Sequence, residues 1–211
     1  MYGIINFEVF LIASLLLNLT PGTDTMYIVS RSISQGRLAG IYSTLGISAG
    51  IITHTLLAAF GLSVILMQST VLFTLIKMIG AVYLAYLGIK MLLEKQSEKS
   101  QVSLSQQSHI KIFVQGMITN VTNPKVALFF LAFLPQFIQS DSSVTSPIPF
   151  ILLGLSFTIT AGIWSLFTVY FSSMATNKLK GNSKISNLLN RLTGIVFIAM
   201  GLKLLSTKAT A

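Results

Sequence analysis

Four ionisable residues stand where the chain is otherwise apolar: Asp24, His54, Lys77 and Lys125. A charge inside a membrane-length apolar run costs about 2.5–3.5 kcal/mol on insertion scales, so such a group faces a cavity or a partner. Asp24 is a carboxylate that can hold an ammonium group or relay a proton. Lys125 directly follows Pro124 and can hold a carboxylate, helped by the free N–H groups of a helix that begins there. His54 titrates near neutrality and can carry protons, and Lys77 can tune the protonation of its neighbours. Each also has a plainer reading. Asp24 can be a first-turn acid suited to the dipole of a helix capped by Thr20 and begun by Pro21. Lys125 can be half of an ion pair with Asp24, and Lys77 can pair with Asp24 or snorkel. His54 can simply donate a hydrogen bond between helices.

Asn18, Thr20, Asn120 and Asn123 flank the two charged stretches, N-L-T-P-G-T-D at 18–24 and N-V-T-N-P-K at 120–125. They are suited to satisfying the backbone that Pro21, Gly22 and Pro124 interrupt, with Asn123 as a cap, and some can also touch a ligand. Five acids and two histidines lie scattered and there is no cysteine, so neither a metal site, a cofactor site nor a disulfide framework is expected. No G-x-S-x-G, H-E-x-x-H or paired-acid arrangement is present, which disfavours a membrane-embedded enzyme. A channel would want a ring of like charges or a filter sequence, and neither is visible.

The elements that must position these groups are apolar. The chain has 211 residues, 53% hydrophobic and 9% charged, where soluble domains carry about 25% charged residues. The reading is an all-α integral membrane protein with lipid around it, a single membrane domain over 1–211. Six transmembrane helices are expected, at about 4–29, 38–67, 71–93, 112–138, 150–174 and 188–205, the first broken at Pro21-Gly22 and the fourth at Asn123-Pro124. Gly46, Gly50, His54 and Ala58 recur every four residues on the second and share one face, which lets another backbone approach. The fifth is spotted with Ser156, Thr158, Thr160 and Ser165, which can line a polar path or bond back to their own carbonyls. The first run is not read as a cleavable leader, because residues 1–7 are uncharged and the run is too long.

The net charge of +9 collects between the runs, which argues for topology determinants on anionic lipid and against nucleic acid. Linkers one-two (with Arg31, Gly36 and Arg37), three-four and five-six are basic, so they face the cytoplasm and both termini face out. That gives two three-helix halves, 1–93 and 112–211, joined by a polar cytoplasmic loop at 94–111 and related as an inverted repeat. Interrupted helices at matching places in two halves point to a transporter's binding site. Straight runs would set Pro21 about 25 Å and Pro124 about 18 Å from their own starts. Entered from opposite faces, the breaks would then lie on opposite sides of the midplane, unless those segments tilt or are re-entrant, which would also change the terminal topology.

The longer motifs are T-P-G-T-D-T at 20–25, S-x-G-R-x-A-G-I at 34–41, K-x-x-G-A-x-Y-L-x-Y-L-G-I-K at 77–90 and Q-G-M-I-T-N-V-T-N-P-K-V-A-L-F-F-L-A-F-L-P-Q-F at 115–137. Over most of its length the chain resembles the LysE/RhtB family of bacterial amino-acid exporters, departing at Thr23, where the family often has a second proline. The resemblance implies a six-helix exporter in the bacterial inner (cytoplasmic) membrane, commonly a homodimer. It also implies export of amino acids or close derivatives, driven by the proton gradient or by exchange. Another small solute or ion on the same scaffold is the rival expectation.

Overall fold

The computed structural model describes residues 3–62, 70–93, 106–139, 146–174, 195, 198–199 and 202. Most of the expected sixth span and most of the 94–111 loop fall outside these. The described residues are helical, with one isolated bridge between Ile4 and Ile138.

Two stretches are bent alike. α1 (Phe7–Leu19) and α2 (Thr23–Gln35) meet at 51°. α5 (His109–Val121) and α6 (Pro124–Leu128), which runs on through a π turn at Phe129–Phe133 and a 3-10 turn at Leu134–Phe137, meet at 48°. Proline pushes the residue before it out of the helical region. Thr20 (ψ 122°) and Asn123 (ψ 108°) are accordingly extended. Among the described residues, two unbroken helices are long and apolar enough to cross a membrane: α3 (Arg37–Leu57), which passes into a π turn at Ala58–Leu62, and α7 (Ile148–Met174). α4 spans Thr70–Leu93. The chain is thus a multi-pass membrane protein with two to four candidate spans among the described residues.

The first bent pair starts where the second ends. Ile5 N–H donates to the Phe137 carbonyl at 2.9 Å and Gln139 N–H to the Gly3 carbonyl at 2.7 Å. From that shared end, α1 with its 13 residues and Pro124–Phe137 are nearly equal in length, so each break lies about 20 Å in. α2 and α5, the far arms, have 13 residues each. The breaks therefore sit at one depth, not on opposite sides as the run lengths suggested. The reason is that apolar edges are not helix ends. α1 starts later than its run, behind Asn6 in a left-handed conformation (φ 50°), and α5 starts earlier, where Ser108 caps it.

Arg31 lies inside a helix and not in the basic linker that the apolar run predicts, because α2 continues to Gln35 and α3 opens at Arg37. Gly36 alone makes the turn, at φ +85° and ψ −176°, a conformation that suits glycine. Arg31 is only 3% exposed, and its guanidinium donates to Gln35 (2.8 Å), Gln107 (2.9 Å) and Gln115 (3.0 Å). Those acceptors let the helix run on past its apolar stretch.

The small face of α3 receives α5. A Cβ on Gly46 would strike the Phe113 carbonyl, and one on Gly50 would lie 2.7 Å from Asn120. Gly116 on α5 answers, 2.9 Å from the Ser43 carbonyl by the same measure. At the shared end, aromatic rings fill the space between the bent pairs and α7. Phe10 meets Phe137 edge-on at 5.3 Å, and Phe129 lies 4.9 Å from both Phe133 and Phe157. Side chains such as Ile159 and Ile163 on the outer face of α7 remain exposed, as lipid-facing residues must.

Candidate functional site

The site begins with what proline takes away. In an unbroken helix the Leu17 carbonyl would accept from the N–H of residue 21, but Pro21 has none. Lys125 supplies the missing donor. Its Nζ donates to the Leu17 carbonyl at 2.8 Å and to the Thr20 carbonyl at 3.0 Å. A cation at the carbonyl end of α1 is favoured by the helix dipole as well. The second break repeats the pattern. Pro124 orphans the Asn120 carbonyl, and His54 Nε2 approaches that oxygen at 3.2 Å, beside the Asn123 N–H at 2.9 Å. The oxygen can only accept, so His54 must carry its proton on Nε2 to bond there.

Asp24 stands in the first turn of α2, half-buried, and its Oδ2 accepts from Asn120 Nδ2 at 2.7 Å. Asn120 is fully buried, its Oδ1 packed against Gly50 without a partner among the described residues. The two breaks thus brace each other. A carboxylate from the first holds the amide of the second, and an ammonium from the second holds the carbonyls of the first. Lys125 makes these bonds to backbone oxygens rather than an ion pair with Asp24.

Thr20 does not cap α2 as the sequence suggested. Gly22 holds that position, and the Thr20 hydroxyl bonds back to the Leu16 carbonyl at 2.8 Å. With Pro21 forcing Thr20 out of register, its side chain turns back along α1. Asn123 does cap, its Oδ1 accepting from the Lys125 N–H at 3.0 Å. Asn18 reaches across to Thr160 on α7 at 3.4 Å. Lys77 lies on α4, and its side chain falls outside the described residues.

Between the bent pairs and α7 is a cavity of about 40 Å³. A water needs about 10–15 Å³ by this measure, so the space takes a few waters. Asp24, Lys125, Asn18 and Asn123 make its polar side, while Ile28, Ile47, Ile51 and Phe157 make an apolar one. Asn120 and His54 are set behind this lining and reach it through Asp24. On α7, Ser156, Thr158 and Thr160 bond back to their own helix, Thr160 also accepts from Asn18, and Ser165 lines the cavity. Trp164 also lines it, and its Nε1 is buried without an acceptor among the described residues. A lone tryptophan in an apolar run carries no pattern, and the polar spotting of that run was the only hint that this helix faces the site.

Opposite charges on two broken helices, around one small cavity with an apolar wall, suit a solute that carries both charges. The model of the LysE type translocators matches residues 15–208. The chain belongs to the LysE type translocator family. It is a membrane transporter, not an enzyme. This LysE type translocator is 35% identical to the Uncharacterized membrane protein YrhP of Bacillus subtilis (strain 168), over 87% of this chain and 90% of that one. It is 28% identical to a Leucine efflux protein of Klebsiella pneumoniae and 26% identical to one of Salmonella typhimurium, each over 96% of both chains. No solved structure matches the translocator.

Proposed function

We propose that this translocator is a secondary exporter of amino acids or close derivatives, leucine among them, working outward across a bacterial inner membrane. The observation that carries the reading is the convergence of Asp24 and Lys125, from two different broken helices, on one cavity. Asp24 engages the substrate ammonium or a proton. Lys125 engages the carboxylate through its ammonium, since Pro124 has no N–H and the Lys125 N–H is held by Asn123. The isoleucines and Phe157 take an aliphatic side chain. The relatives named for leucine efflux support such a substrate. The cavity is too small for an amino acid, so loading requires the bent pairs to part, and the halves rock about the site. Export is driven by the proton gradient or by exchange, with His54 and Lys77 tuning protonation. The architecture we propose is six spans in two inverted halves, 1–93 and 112–211, around the cytoplasmic 94–111 segment, assembled as a homodimer. The matching bends and the shared end of the two pairs support the inverted arrangement.

The test is release of amino acids from cells fed dipeptides, comparing the wild type with an empty vector. Faster release of one or a few amino acids is the expected result. Equal release of every amino acid would sink the reading.

A further inference from the structure

We propose that Trp164 is a substrate-contacting residue, donating its indole N–H to the carboxylate of the amino acid held in the cavity. The inference rests on the amino-acid reading above and adds a ligand from a third element. Trp164 lies three residues after Ala161 and seven after Phe157, so the three share the inner stripe of α7, and all three line the cavity. Its Nε1 is buried with no acceptor among the described residues. A donor left bare in a membrane interior costs as much as a lost hydrogen bond, because no bulk water is there to accept it. The ring is held in place, stacked on Phe167 at 5.6 Å. An indole N–H can only donate, which fixes the part of the ligand it meets. A zwitterionic amino acid offers its acceptors at the carboxylate and its donors at the ammonium.

The remaining polar groups divide the ends in the same way. Asp24 is the acceptor for the ammonium. Lys125 has three donors and commits two of them to the Leu17 and Thr20 carbonyls, leaving one for the carboxylate that Trp164 also faces. Trp164 is thereby a positive selector: a solute with an ammonium and an aliphatic tail but no carboxylate leaves the indole unmet.

Two measurements test this on the full-length chain in lipid. Trp164 is the only tryptophan, so intrinsic fluorescence reports this residue alone. Leucine, or whichever amino acid the wild type exports into vesicles fastest, is expected to shift the emission saturably, and the corresponding amine, which has no carboxyl or carbonyl oxygen to accept the bond, is not. In the vesicle assay, Trp164→Phe keeps the ring and loses the donor. It is expected to raise KM about 10- to 100-fold, the range for a hydrogen bond to a charged group, with the maximal rate near that of the wild type. An unchanged KM overturns the proposal. So does an emission spectrum that a transported amino acid leaves unmoved, a result that needs no variant to fold. A wild type that moves no amino acid defeats the exporter reading first, and the assignment of Trp164 with it.

Discussion

At the residue scale, Asp24 and Lys125 do different work although they face one cavity. Asp24→Asn keeps an oxygen for the Asn120 amide and removes only the charge, so the fold should survive. A hydrogen bond to a charged group is worth about 1.5–3 kcal/mol, so export is expected to fall about tenfold or more at matched protein level. Release equal to the wild type would show that the carboxylate is not in the pathway. Lys125→Met fills the same space but strips the donor from the Leu17 carbonyl, which Pro21 cannot serve. A buried unmet group costs about 1–3 kcal/mol, so this variant is expected to melt lower in detergent, and Lys125→Arg, which keeps donors, to melt nearer the wild type. A melting temperature unchanged by methionine would refute the capping role. The ionisable residues were legible because charge is rare in an apolar chain. Their partners were not, because backbone carbonyls carry no letter in the sequence.

At the element scale, the contact between α3 and α5 depends on what is missing from its glycines. Gly50→Leu must displace the Asn120 side chain and with it the bond to Asp24. Overpacking of this kind costs about 1–3 kcal/mol, and the yield of monodisperse protein is expected to drop sharply. Gly162→Ala, on the open side of α7 with nothing within 4 Å, is the control and should behave as wild type. Comparable yields for both would deny the tight crossing. The face of Gly46, Gly50, His54 and Ala58 could be read from spacing alone, since a four-residue period is a helical stripe. The depth of the breaks could not. It depends on where α1 and α5 begin, and those starts are set by a left-handed Asn6 and a Ser108 cap rather than by hydropathy.

At the scale of the whole molecule, the family match and the apolar helices agree with the membrane character that composition alone announced. A chain without cysteine makes the orientation in the bilayer simple to read by labelling. Gln139 and Gln106 are both exposed. In intact cells, a membrane-impermeant maleimide is expected to label Gln139→Cys, at the shared end of the bent pairs. Gln106→Cys, within the 94–111 segment, should react only after the membrane is opened. The reverse pattern would turn the proposed topology over and make the transporter face the other way.

The mutual bracing of the two breaks also sets an order of events during biosynthesis. The residues it joins are 96 to 108 positions apart in the chain. A ribosome adding about 5–20 residues per second needs about 5–20 s to cover that distance. For that interval the first bent helix waits in the lipid with Asp24 unaccompanied and the Leu17 carbonyl bare. Only the arrival of Asn120 and Lys125 completes it. A nascent chain arrested after Leu93 should therefore be an early target of membrane proteases, and co-expression of the second half as a separate polypeptide should lengthen its lifetime in a pulse-chase.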